Sequence, residues 1–211
     1  RSGLSVSRTQ NNLLHTPLLP IAKYGVLPYY ETASLTALAA GVSTAYVFSA
    51  NGLYDPNITS TGHQPMGFDQ MMLFYEHYCV TKVKVTVNWV NTDIDDTCVV
   101  GVLIAPDATI ESSTSKLNEN GMLVKKYAQP NGSGTNHCSM SVTADISKLN
   151  GKRHVTDEND FRGDVSTNPA EQSYIHLFCY NPMSINTVAL TFEVILEYTA
   201  KFTEPRKMTQ S

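Results

Sequence analysis

Apolar residues recur at every second position over most of this chain. From Val188 to Tyr198, one parity carries Val188, Leu190, Phe192, Val194, Leu196 and Tyr198. The other carries Ala189, Thr191, Glu193, Ile195 and Glu197. Side chains of an extended strand point alternately to opposite faces, so this run predicts a strand with one buried face and is incompatible with a helix. Between Tyr78 and Asn91, Val83, Val85, Val87 and Trp89 alternate with Lys82, Lys84, Thr86 and Asn88. Thr97 to Ala105 is apolar at both parities, which predicts a central strand covered on both sides. Leu123 to Gln129, His137 to Thr143, Ser173 to Tyr180, Ser43 to Ala50 and roughly Lys23 to Tyr30 bring the number of strands to eight.

The period changes once. Phe68, Met71, Met72, Tyr75 and Tyr78 recur at three and four, predicting a helix over Gly67 to Tyr78. A shorter one is predicted at Asp145 to Leu149. Turn residues mark the joints, as in Asn131-Gly132-Ser133-Gly134. Two long irregular stretches, Asn51 to Pro65 and Gly151 to Gln172, have the length of functional or interface loops. No interdomain break interrupts the pattern. The expected fold is therefore all-β, a single eight-stranded jelly-roll sandwich with one or two short helices in its loops. Residues 1–22 are expected to be an arm, 23–202 the sandwich and 203–211 a C-terminal tail.

Charged residues are only 16% of the chain, against about 25% in an average soluble domain. The surface must be dressed with neutral polar groups instead: 22 Thr, 18 Ser and 15 Asn. Such a surface costs less to desolvate than a charged one, which suits a protein that buries much of its outside against partners. No apolar run is long enough for a membrane-spanning helix. Pro17 and Pro20 interrupt the run from Leu13 to Ala22, which does not read as a secretory leader. Cys79, Cys98, Cys138 and Cys179 form no CxxC pair and sit in strand-like runs, so they are expected to be buried free thiols.

Phosphate-cradling loops, nucleophile elbows, HExxH and HxH pairs are all missing from the sequence, so no enzyme class is nominated. Four weaker signals remain. Asp93, Asp95 and Asp96 are bunched in one loop, as hard oxygen ligands for Ca²⁺ would be, although a solvated turn accounts for them better. Arg162-Gly163-Asp164, on an expected exposed loop, spells a tripeptide that can engage a cell-surface receptor. Asn57-Ile58-Thr59 and Asn131-Gly132-Ser133 are glycosylation sequons. Arg1, Arg8, Lys23, Lys82 and Lys84 are the candidate nucleic-acid contacts, Lys82 and Lys84 sharing one strand face.

Three segments add a resemblance: Ser49 to Pro56, Thr61 to Met72, and the aromatic-rich run from Phe74 into Lys82-Val83-Lys84-Val85. Over Ser49 to Trp89 the chain resembles coat proteins of small circular, Rep-encoding single-stranded DNA viruses, of circovirus type. Small icosahedral RNA-virus coats share related versions. The resemblance implies a jelly-roll subunit that self-assembles, usually as sixty copies in a T=1 shell. It also implies a single-stranded DNA genome held by a basic N-terminal arm, a host-cell receptor, no membrane insertion, and a location in the virion and, during assembly, the host nucleus. The sequence departs from that pattern by lacking an Arg-rich run. Sixty copies at −4 each carry roughly −240, which opposes packing phosphates inside. A strongly basic segment ahead of Arg1 is therefore expected.

Two other readings compete. A jelly-roll lectin or receptor-binding module would use the Asp loop for Ca²⁺ and Trp89 to stack on sugar. Trp89 shares its parity with Val83, Val85 and Val87, which favours the core. A jelly-roll enzyme would need metal motifs that are missing. The alternation itself makes a prediction: Val85→Asp buries an unpaired charge, costs several kcal/mol or more, and leaves the protein unfolded by circular dichroism.

Overall fold

The structure, a computed structural model, describes residues 19–59, 61–121, 123–183 and 185–207. Eight strands form in chain order: β1 (Ala22–Ala37), β2 (Thr44–Ser49), β3 (Tyr75–Asn91), β4 (Cys98–Ala105), β5 (Leu123–Ala128), β6 (His137–Asp145), β7 (Tyr174–Tyr180) and β8 (Val188–Pro205). They make two four-stranded antiparallel sheets, ordered β1-β8-β3-β6 and β2-β7-β4-β5. The pairs nest: first with last, second with seventh, third with sixth, fourth with fifth. That is one long hairpin rolled into a sandwich, the jelly roll the alternation predicts.

The core lies between the sheets. Val83, Val85, Val87 and Trp89 of β3, together with Leu190, Phe192, Val194, Leu196 and Tyr198 of β8, face Val100 and Val102 of β4 and Ile175 and Leu177 of β7, all buried. Trp89 is fully buried, its ring 5.0 Å from that of Phe192. This removes the sugar-stacking platform of the lectin reading. Tyr198 is buried too, and its hydroxyl donates to the Ser49 carbonyl at 2.7 Å, tying β8 to the end of β2.

β4 is covered on both faces, as its double apolar parity requires. Val99, Leu103, Phe178 and Tyr180 pack outside the second sheet beneath Leu117. Leu117 belongs to a short helix, α2 (Thr114–Glu119), which the sequence reading missed because six residues with one buried side chain carry no period. A Cβ on Gly101 would meet the Phe178 ring at 2.3 Å, so only glycine lets that ring cross β4.

Three boundaries differ from expectation. The helix at Phe68 is α1 (Phe68–Phe74); Tyr75 is already extended and begins β3, because pairing with Pro205 of β8 overrides the helical spacing. β1 continues past Tyr30 to Ala37, held by unbroken pairing with β8 where its own small residues conceal the alternation. β8 runs to Pro205, so residues 203–205 belong to the sheet and not to a tail. The expected short helix is α3 (Ile146–Leu149), capped by the Asp145 carboxylate, which accepts from the Lys148 N–H.

The nested pairing gathers the loops into two sets. Loops 38–43, 92–97, 129–136 and 181–187 meet at one end, joined by Asn181 N–H to Leu38 O, Asn131 N–H to Asp93 O and Asn186 Nδ2 to Asp96 Oδ2. Loops 50–74 and 146–173 meet at the other, where Asn51 donates to Glu171 O and the Asn168 amide bridges to Asp55. Tyr198→Phe keeps the packing but strips the Ser49 carbonyl of that donor. It should cost about 1–2 kcal/mol in urea unfolding with an unchanged m-value.

Candidate functional site

Among the described residues, the two most exposed large apolar side chains, those of Met183 and Ile185, stand at the first loop end. Met183 is 96% exposed, Ile185 88% and Ile94 70%. Leu38 and Val42 are exposed at the same end. Asn181 Nδ2 donates to the Asn186 carbonyl and the Asn181 side chain accepts from the Met183 N–H, tying together the turn from which Met183 and Ile185 project. The sequence did carry a signal for them: an Ile between two Asp residues, and Met and Ile within a turn that begins Asn181-Pro182. Single large apolar residues on turn chemistry have no core role.

Asp93, Asp95 and Asp96 lie in this end. The Asp93 carboxylate accepts from the backbone N–H groups of Asp95 and Asp96, and Asp96 accepts from Asn186. Asp93 thus closes its own turn, and the three carboxylates do not converge on one point. Among the described residues, the one group whose ligand atoms do gather within 4.8 Å is Glu76, His77 and Glu204. Arg162 pairs with the same Glu204 at 3.3 Å and supplies the positive charge there.

Arg162, Gly163 and Asp164 each have an internal role. Arg162 donates to Glu204 and to the Thr156 carbonyl. Gly163 is buried and exchanges two backbone hydrogen bonds with Tyr78, both 2.9 Å. A Cβ there would meet the Tyr78 ring at 2.3 Å. The Asp164 carboxylate accepts from the Ser166 N–H and hydroxyl and the Thr167 N–H, and the Ser166 amide foremost holds its carboxyl below the usual range.

The sequon at Asn57 is internal as well. Asn57 is fully buried, and its Nδ2 donates to Glu31 and to the Tyr46 hydroxyl at 2.7 and 2.8 Å. Glu31 also accepts from Tyr29 and Tyr46, which pins loop 50–65 against β1 and β2.

Of the candidate basic contacts, Arg1 and Arg8 lie outside the described residues. Lys82 and Lys84 do share the outer face of the first sheet, but Lys84 is paired with Glu197 at 2.6 Å. Lys23, exposed at the open end of β1, has the parity of the buried Leu27 and Tyr29 and so leaves the strand on the opposite side.

The four cysteines are free thiols; Cys79, Cys98 and Cys179 are buried and Cys138 is partly so. Burial pushes the Cys79 thiol up to about 11 and those of Cys98 and Cys179 up to about 12. At pH 8 these three stay protonated and unreactive. Ellman's reagent should therefore titrate at most Cys138 in the native protein and all four in guanidinium; rapid native titration of a second thiol would contradict this burial.

No family model matches the sequence, and no curated protein matches it. The chain is similar to solved structures of virus particles. For Desmodium yellow mottle tymovirus the identity is 16%, covering 96% of this chain and 99% of that one, with a TM-score of 0.45. For a semi-empty virus-like particle of Macrobrachium rosenbergii nodavirus it is 9%, covering 92% and 100%, with a TM-score of 0.48. For Cocksfoot mottle virus it is 7%, covering 88% and 96%, with a TM-score of 0.49. None of the three names is that of a circovirus.

Proposed function

We propose that this chain is the coat subunit of a small icosahedral virus, assembling with copies of itself into a shell around a nucleic-acid genome. The observation that carries the reading is the loop end of the sandwich, where Met183, Ile185 and Ile94 stand out into solvent. Apolar groups held this far into water favour a surface that is covered in the working state. A closed shell covers the same loops on every copy by repeating one contact around its symmetry axes. The neutral Thr, Ser and Asn surface lowers the cost of burying the surrounding area.

The resemblance over Ser49 to Trp89 adds the finer form of the reading, sixty copies in a T=1 shell around circular single-stranded DNA. The coat of a small icosahedral RNA virus is the other form, and the names of the similar solved structures sit beside it. The lectin reading loses its sugar-stacking platform, since Trp89 is buried.

Negative-stain microscopy and size-exclusion chromatography test the proposal. Expected are uniform shells far above the 23.2 kDa of one chain; a monomer at every salt and pH tried would overturn it. Nuclease digestion of extracted contents then decides between DNA and RNA. Met183→Asp with Ile185→Asp should abolish shells while the melting temperature stays within about 2 °C, because neither side chain packs in the core.

A further inference from the structure

A second surface departs from the neutral rule. At the other end of the first sheet, beside the start of β1, the loop after α3 folds over the sheet's outer face and leaves a groove. Lys148, Lys152 and Arg153 line it, together with Tyr24 and the hydroxyls of Thr81 and Ser147. Two more cations border it. Lys82 follows Thr81 and is paired in register with Asp145, and Lys201 is the cross-strand partner of Tyr24. The one acid in the lining, Asp145, is engaged in capping α3. Lys152 is paired with Glu158 at 3.4 Å. Lys82, Lys148, Arg153 and Lys201 form no ion pair with a described acid.

In a chain of net charge −4, this concentration of positive charge is local. Along the same sheet face the charge is cancelled, Lys84 by Glu197, while Glu193 accepts from Asn88 and Tyr30. The Tyr24 ring is 59% exposed at the groove's edge, available to a stacking partner. Residues 1–18, with Arg1 and Arg8, join the described chain at this end of β1.

We infer that this groove binds the sugar-phosphate backbone of single-stranded nucleic acid, with Lys82, Lys148, Arg153 and Lys201 on phosphates and Tyr24 stacked on a base. The inference rests on the coat-subunit reading for its partner. Cations without acid partners lose little on meeting phosphate and release the counterions that phosphate holds. An exposed aromatic beside them supplies the sequence-tolerant stacking of single-strand binders. An acidic protein surface would use the cations but leave the exposed Tyr24 ring without a role.

The test measures binding of oligo-dT and oligo-U, each about twenty nucleotides, to the full chain by fluorescence anisotropy over a salt series; the pair distinguishes a DNA from an RNA preference. Lys148→Ala with Arg153→Ala changes two exposed side chains, and an unchanged melting temperature confirms folding. This variant should bind about ten-fold more weakly, with a salt dependence shallower by roughly 1.4 in log–log slope. Tyr24→Ala should weaken binding several-fold at unchanged slope, and Lys84→Ala, on an ion-paired residue, should bind as the parent does. No binding by the parent, equal binding by the double variant, or an equal loss from Lys84→Ala overturns the site. Altered particle yield with oligonucleotide binding intact overturns it too, in favour of a protein contact. Microscopy of the same samples separates the two proposals. Failure to form shells with a groove-dependent affinity sinks the coat reading alone, and shells with groove-independent affinity sink the groove alone.

Discussion

Everything in this molecule depends on the pairing of β3 with β8. The two strands, 17 and 18 residues long, lie side by side at the centre of the first sheet and send every second side chain into the space between the sheets. A shift of one residue in that register would turn Val85, Trp89, Leu196 and their neighbours out to water and bring Lys84 and Glu197 inside. The burial of one parity and the ion pairing of the other therefore select the same register. The pairing also decides the limits of its neighbours: it converts Tyr75 to strand, carries β8 to Pro205 and gives β1 a continuous edge to follow.

The nested order that grows from this pair sorts the loops by end. Met183, Ile185 and Ile94 stand at one end; the cation-lined groove lies at the other, where Met66 and Leu73 are exposed as well. Under the proposed coat function, the first end would meet copies of the chain and the groove at the second a polyanion. Loops between them are held by side chains that serve as internal partners. Glu31 collects Tyr29, Tyr46 and Asn57, and Tyr78 accepts from Leu53 while facing Gly163. Several residues that look like recognition signals in one dimension are used in this way.

The strands with clean alternation were legible without coordinates, as was the doubly buried β4. Their burial pattern is a local property of the chain. The second half of β1 was not, because Ala33, Ser34 and Thr36 say little about which face is inside; only the partner strand does. The Asp93 loop was read as a solvated turn ahead of a Ca²⁺ site, but which carboxylate closes the turn depends on backbone geometry that spacing does not encode. Lys152 pairs locally with Glu158, while Arg153 has no ion pair with a described acid. Their gathering with Lys82, Lys148 and Lys201 joins two strands, a short helix and a loop, the strands far from the loop in sequence.

By itself the sequence determined the fold class, the strand faces, the core and the neutral character of the outside, because each follows from a period of two and from which atoms avoid water. Tertiary structure alone decided where strands end, which loops share an end, and which charged groups are already paired. Those outcomes depend on contacts between residues distant along the chain, and a contact is a property of two segments that neither one contains.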